Sequence, residues 1–112
     1  MSQLPKHVFN AYSISDGDMS GDITGSVLDI NEIGCLAVQA VWSGSSPVGN
    51  VLVKGSNDGI NYTPIASGSL AVSGNTGSAV LNVADIGYAS LRVDYDNTSG
   101  SGTLNVKVNA KR

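Results

Sequence analysis

A loop in the first quarter of the chain has the residue spacing of a calcium-binding loop. Asp16, Asp18 and Ser20 stand where such a loop has its first, third and fifth ligands. The twelfth position, however, is Val27 and not the bidentate glutamate that completes the site. We therefore predict a solvated acidic turn without a metal, and cation binding is the alternative. The candidate ligands in that alternative are Asp16, Asp18, Ser20 and Asp22.

A second set of residues has the chemistry of a carbohydrate site. Trp42 and Tyr62 offer apolar rings on which a sugar could stack. Asn57, Asp58 and Asn61 lie at a turn and offer groups that hydrogen-bond to sugar hydroxyls. The structural alternative, which we favour, is that the tryptophan closes the end of the core and the tyrosine caps a strand.

Side chains that act as nucleophiles or zinc ligands are scarce. His7 is the single histidine, and no set of cysteines accompanies it. No serine lies in a Gly-x-Ser-x-Gly nucleophile elbow. We therefore expect a protein that is not an enzyme and has no cofactor. The lone Cys35 lies in an apolar run, which predicts a buried thiol, and it cannot form an intrachain disulfide.

Charge is low and evenly spread. Charged residues make up 13% of the 112 residues and the net charge is −3, against about 25% charged residues in ordinary soluble domains. The six basic residues form no stripe, which argues against a nucleic-acid partner. No apolar run approaches the ~18 residues of a membrane-spanning helix, and the first residues lack the apolar centre of a signal peptide. We expect synthesis in the cytoplasm and no membrane partner.

The elements that must position these residues are strands. Apolar and polar residues alternate from Leu104 to Ala110, as in a strand buried on one face. Similar patterns predict about eight strands in a single domain, residues 1–112. The fold class predicted is all-β, an antiparallel β-sandwich or jelly roll. The predicted strands are 7–14, 22–30, 34–42, two arms within 51–65, a short strand at 70–72, 79–83, 91–95 and 104–110.

Two connections are predicted from their turn residues. Asn57-Asp58-Gly59 predicts a tight hairpin turn. The glycine-rich residues 97–102 predict a second hairpin, which would pair strand 91–95 with strand 104–110. Asp94 and Asp96 would then lie on a solvated strand face. Few charged residues are available to keep exposed strand edges from pairing with another chain. We therefore also expect the chain to form an oligomer, in which another subunit covers these edges.

Three segments carry a resemblance to a known class of protein. Residues 51–62, VLVKGSNDGINY, resemble the G-S-x-D-G-x-x-W/Y hairpin of small bacteriophage structural proteins. Residues 91–106, with LRVDY followed by SGSGTLN, resemble the Y-x-R-x-x-Y…S-G-S-G-T-L-N ending of the same proteins, and residues 42–49 are similar to their W-x-G-x-P-x-G approach to the hairpin. Together these segments span about the last two-thirds of the chain.

The resemblance implies a virion component made in the host cytoplasm. It would be a capsid decoration (cement) protein or a head or tail accessory subunit that binds capsid or tail proteins. It would also associate with itself, with a trimer favoured. The class has no catalytic residues to carry over. The alternatives are a carbohydrate- or receptor-binding β-sandwich module and a shell-forming subunit.

Overall fold

The fold consists of strands, as the alternating pattern predicts. The computed structural model describes residues 7–29, 35–84 and 89–111. These residues contain no helix, and so none that could cross a bilayer. The strands are β1 (His7–Asp18), β2 (Ile23–Asp29), β3 (Cys35–Ser56), β4 (Thr63–Val72), β5 (Thr76–Ala84) and β6 (Ser90–Lys111).

An antiparallel ribbon of β3 and β6 forms the centre of the structure. It runs from Cys35 opposite Lys111 to Ser56 opposite Ser90. Each strand has 22 residues, which would extend about 70 Å if straight, at ~3.3 Å per residue. The molecule measures only 50 × 31 × 21 Å, so the ribbon must bend. The register shifts lie between Ser45 and Gly49, which marks the bend.

The bend divides the strands into two half-sheets. Half-sheet I has the order β1, residues 101–111 of β6, residues 35–45 of β3, and β5. Half-sheet II has the order β2, residues 90–97 of β6, residues 49–56 of β3, and β4. Because β3 and β6 belong to both, six strands provide eight segments. The predicted antiparallel sandwich of about eight strands is confirmed.

The two half-sheets bury their alternating apolar residues in one shared core. Between the bulges and the bend, every second residue of β3 and β6 points inward, as the two-residue period of a strand requires. Half-sheet I contributes the buried residues Leu36, Val38, Ala40, Trp42, Leu104, Val106, Val108 and Ala110. Half-sheet II contributes the buried residues Val51, Val53, Val72, Leu91, Val93 and Tyr95.

The predicted hairpin at residues 97–102 is wrong. These residues belong to the continuous strand β6 and pair with β3, where Gly102 lies opposite Gly44 and Ser99 opposite Val48. Residues 44–49, which lie between the predicted strand 34–42 and the predicted arms within 51–65, are likewise part of β3. Small residues on both strands let the two backbones approach closely and bend together. A Cβ atom added to Gly102 would overlap the backbone of Ser43.

Several boundaries and burial states also differ from the predictions. β1 extends to Asp18, so the acidic loop is shorter than expected. The connection after β3 covers residues 57–62, and Gly55 lies opposite Thr63, so it is longer than a tight turn. Cys35 is exposed, because its position at the start of β3 places it on the outer side of the sheet. The side chain of His7 lies outside the described residues.

A bulge in β2 explains two buried polar side chains. The register of β2 against β6 shifts between Thr24 and Val27. The displaced N–H of Gly25 donates to Asp94 Oδ1 at 3.1 Å. On the opposite strand Val93 N–H donates to Ser13 Oγ at 3.2 Å, and Ser13 donates in turn to the Ser26 carbonyl. Side chains thus satisfy the backbone groups that the bulge leaves unpaired.

The bulge predicts a specific requirement for glycine at position 25. A Cβ atom there would overlap the Val93 carbonyl oxygen and lie 2.7 Å from Ser13 Oγ. We expect Gly25→Ala to lower the free energy of unfolding by roughly 1–3 kcal/mol, as overpacking does. Gly21→Ala is the control, because nothing lies within 4 Å of its added Cβ. Urea denaturation measures both, and equal stability of the two variants would contradict this account of the bulge.

Candidate functional site

The outer face of half-sheet II carries a compact group of charges around Asp94. Its carboxylate accepts hydrogen bonds from Nε and Nη2 of Arg92, at 2.9 and 2.8 Å. It also pairs with Lys54 Nζ at 2.9 Å, and Gly25 N–H is its fourth donor. The group borders an open cleft of about 360 Å³ that also contains Asp22 and Asp96. The expected solvated position is wrong for Asp94, which is 7% exposed.

The pairing keeps Asp94 ionised despite its burial. Burial alone would raise its pKa, but the hydrogen bonds from Arg92, Lys54 and Gly25 outweigh burial and lower the pKa below its usual range. These contacts occupy both oxygens of the Asp94 carboxylate, with two donors on each oxygen. The geometry is therefore that of a structural ion-pair cluster that fastens β2, β3 and β6 to one another.

The two aromatic residues predicted for sugar stacking do not form a platform. Trp42 is 5% exposed and packs against Gly77 in half-sheet I. Tyr62 lies beyond the other end of β3, is half-buried, and has the Arg92 guanidinium 4.7 Å from its ring centre. A sugar ring needs an open aromatic face. Trp42 offers none, and one face of the Tyr62 ring is already occupied by Arg92, so the structural interpretation of both is the better supported.

The polar residues of the 57–62 connection are engaged in folding it. Asp58 Oδ1 accepts the N–H groups of Ile60 and Asn61, each at 2.8 Å, and the Ser56 hydroxyl at 2.9 Å. Asp58 Oδ2 accepts Asn61 Nδ2 at 2.8 Å. These hydrogen bonds, the one from the Asn61 backbone first, hold the pKa of Asp58 far below its usual range. Asn57 Oδ1 accepts the N–H of Ala89 and ties the connection to β6.

Two carboxylates of the acidic loop accept backbone N–H groups. Asp18 Oδ1 accepts Ser20 N–H at 2.9 Å, and this bond lowers the pKa of Asp18. Asp22 Oδ1 accepts Asn97 N–H, while the backbone of Asp16 donates to Asn105. Within residues 7–29, 35–84 and 89–111, no three acidic, histidine or cysteine side chains converge as metal ligands.

Met19 is a residue of this loop that sequence reasoning missed. It is fully buried, and its N–H donates to the Gly102 carbonyl at 2.9 Å. The loop is therefore anchored from inside by an apolar side chain at the bend of the ribbon. An apolar residue among three aspartates is the signal that could have identified this anchor.

The outer face of half-sheet I has the opposite character, with very little charge. Tyr12, Lys107, Gln39 and Val80 lie side by side across its four strands. The next row holds Asn10, Asn109, Ala37 and Asn82. Among the residues described in these two rows, Lys107 carries the one charge, and its ammonium lies 5.2 Å from the Tyr12 ring centre. A shallow groove of about 200 Å³ crosses the rows.

Comparison with known proteins identifies the fold. No protein-family model and no curated protein matches this chain. Among solved structures, it is similar to the SPBc2 prophage-derived protein YomS, with a TM-score of 0.68 and 13% identity over 97% of both chains. It is also similar to a chain in the structure of infectious bursal disease virus, Gx strain, with a TM-score of 0.59 and 10% identity. That match covers 98% of this chain and 32% of the viral one.

A carbohydrate-binding module shares the fold as well. The module CBM6cm-2 of Cellvibrio mixtus lichenase 5A, solved with cellotriose, matches with a TM-score of 0.54 and 8% identity. The match covers 93% of this chain and 98% of the module. At such identities the likeness shows the β-sandwich fold, and function must be argued from the surface of this chain.

The ion-pair cluster predicts how stability depends on Asp94. Asp94→Asn leaves Lys54 and Arg92 without their carboxylate, so we expect the free energy of unfolding at pH 7 to fall by roughly 2 kcal/mol. Because the pKa of Asp94 is lowered on folding from 3.8, its stabilisation is present above about pH 4 and is lost as pH falls through the folded pKa. The stability of the variant should therefore decline less between pH 5 and about pH 2.

Urea denaturation of the wild type and Asp94→Asn across this pH range measures both effects. The control is Asp96→Asn, two residues along the same strand at an exposed position. It should remain within about 0.5 kcal/mol of the wild type. A variant at position 94 that is no less stable than this control would show that the cluster contributes nothing to folding.

Proposed function

We propose that this chain is a non-enzymatic phage structural protein of the virion. It would serve as a capsid decoration protein or as a head or tail accessory subunit, made in the host cytoplasm. Its activity is assembly: it associates with itself and attaches to capsid or tail proteins. The observation that carries the proposal is the pair of rows on the outer face of half-sheet I in which Lys107 is the single charged residue.

This face is suited to burial against protein. Amide, hydroxyl and small apolar side chains lose little free energy when a matching surface displaces water, whereas each unpaired charge would be costly. The one charge in the two central rows, on Lys107, already lies beside the Tyr12 ring. Lys54, Arg92 and Asp94 lie on half-sheet II instead, where they pair with one another. An array of many copies then strengthens attachment through multivalency.

The structural comparisons support this class of function. The likeness in fold to YomS, a prophage-derived protein, covers 97% of both chains. The fold also occurs in a chain of a virus particle. With a net charge of −3 and scattered basic residues, we propose neither a nucleic-acid nor a membrane partner.

The carbohydrate-binding alternative is supported less well. The fold of CBM6cm-2 is shared, but Trp42 is buried, and Asp58 and Asn61 hydrogen-bond to each other. A ligand at this connection would have to break those bonds. We therefore do not adopt it as a second proposal.

The proposal predicts a stoichiometric copy of this chain in purified particles of the phage that encodes it. Quantitative mass spectrometry against the major capsid protein measures the ratio, which should be constant between preparations. A non-structural phage protein from the same lysate serves as the control for contamination. Particles that are infectious and complete but lack the chain would contradict the proposal.

The face itself is tested by adding charge. Gln39→Lys places a second ammonium beside Lys107, its cross-strand neighbour, and we expect its attachment to particles to weaken about tenfold or more, equivalent to about 1.4 kcal/mol. Ile60→Lys is the matched control, because Ile60 is 80% exposed in the connection at the far end of β3. Sedimentation of labelled protein with particles measures both. Equal attachment of the two variants would show that the face is not the contact.

A further inference from the structure

One edge of the structure lacks the features that normally prevent strands from pairing. Of the edge strands among the described residues, β1 has three register shifts and two aspartates, and β2 has one shift. β4 has one shift and contains Pro64. β5 pairs with β3 over nine consecutive positions without a shift, and its sequence TGSAVLNVA has neither charge nor proline. An edge of this kind is a template for a further strand.

The backbone groups available on this edge can be assigned. Gly44 N–H donates to the Asn75 carbonyl at 2.7 Å, in register with the β3–β5 ladder. Antiparallel pairs alternate between bonded and non-bonded positions. The odd-numbered residues of β5 therefore bond to β3. The even-numbered residues direct their N–H and C=O groups outward, and these are Thr76, Ser78, Val80, Asn82 and Ala84.

We propose that β5 pairs antiparallel with β5 of a second copy of this chain, with Val80 opposite Val80 on a twofold axis. This inference rests on the self-association part of the proposed function and names its interface. The even-numbered residues of both copies would exchange hydrogen bonds, as this register requires. Half-sheet I of each copy would join into one continuous eight-stranded sheet.

The side chains of β5 are self-complementary in this register. On the inner face Gly77 would lie opposite Val83 of the second copy, and Ala79 opposite Leu81. Each pair combines a small and a large residue, so the inner layer is filled without clashes. Ala79, Leu81 and Val83 are only partly buried in the single chain, and pairing would complete their burial.

The outward side chains of β5 and its lack of charge also favour a second copy of this chain as the partner. Ser78 would lie opposite Asn82 of the second copy, and a hydroxyl and an amide can hydrogen-bond to each other. Val80 is 58% exposed in the single chain and would gain an apolar neighbour. Since β5 contains no charged residue, the twofold axis brings no like charges together. A charged extended segment from another protein would find no complementary group on this strand.

The first experiment is light scattering on the purified chain over a range of concentrations. We expect a mass twice the 11.4 kDa of the chain. Val80→Lys places two ammonium groups on the axis and should raise the dissociation constant at least about tenfold. Val41→Lys is the control, because Val41 is also exposed on the outer face but lies on the interior strand β3. It should remain dimeric.

A second variant separates loss of pairing from loss of folding. Val80→Pro removes an outward-facing N–H that β3 does not use, so an edge strand can accept it. We expect a folded monomer, with a far-ultraviolet circular dichroism spectrum like that of the wild type. A dimer of unchanged affinity would overturn the β5 interface.

Cross-linking gives a positive readout of the register. In a Cys35→Ser background, Val80→Cys should form a disulfide-linked dimer on mild oxidation, because Cα atoms of directly opposed residues lie about 5.5 Å apart. Val41→Cys in the same background should not cross-link. A monomer at all concentrations overturns the proposal. So does a trimer insensitive to Val80→Lys, because one twofold contact cannot close a threefold ring. Either result leaves the virion test unaffected, whereas absence from virions would contradict the function and not the dimer.

Discussion

The structure depends on the pairing of β3 with β6 along their whole length. A ribbon of two 22-residue strands is too long for a small domain, so it can bury one continuous apolar face only by bending back over itself. The bend needs a place where the two backbones can approach each other closely. This requires small side chains on both strands at the same position. Residues 44–49 and 97–102 provide it, because Gly44 lies opposite Gly102 and Ser45 opposite Ser101 there. Every other strand adds to one side of this bent ribbon, and the two half-sheets therefore share one core.

The bulge of β2 shows how polar groups are accommodated beside that core. Shifting the register frees backbone N–H groups that would be costly to bury unpaired. Ser13 and Asp94 accept these groups, and Asp94 in turn holds Lys54 and Arg92 on the outer side. One carboxylate thus joins three strands and fixes the positions of most charges on half-sheet II. The cluster is a structural device, because each of its three charged side chains pairs with another of them.

The consequence for function is a molecule with two different faces. Lys54, Arg92 and Asp94 pair with one another on half-sheet II, while two rows on the outer face of half-sheet I hold a single charged residue, Lys107. These two rows and the uncharged edge strand β5 belong to the same half-sheet. Both suit assembly, because neither would bury an unpaired charge when another protein covers it. Attachment to a particle would use the outward side chains of the face, whereas pairing at the β5 edge would use chiefly backbone N–H and C=O groups. The two proposed contacts could therefore coexist in one array.

The sequence by itself determined the fold class and the inward-facing residues. Alternation at Leu104 to Ala110 is a local signal with a two-residue period, and it predicted both the strand and its buried side. It could not determine which strands pair, because glycine and serine suit a turn and a bend equally. Residues 97–102 became a bend only because residues 44–49 lie opposite them, about fifty positions earlier in the chain. Burial of Trp42 and Asp94 and exposure of Cys35 were decided in the same way. Solvent exposure depends on which distant strand covers a residue, and this is settled by the packing of the whole core.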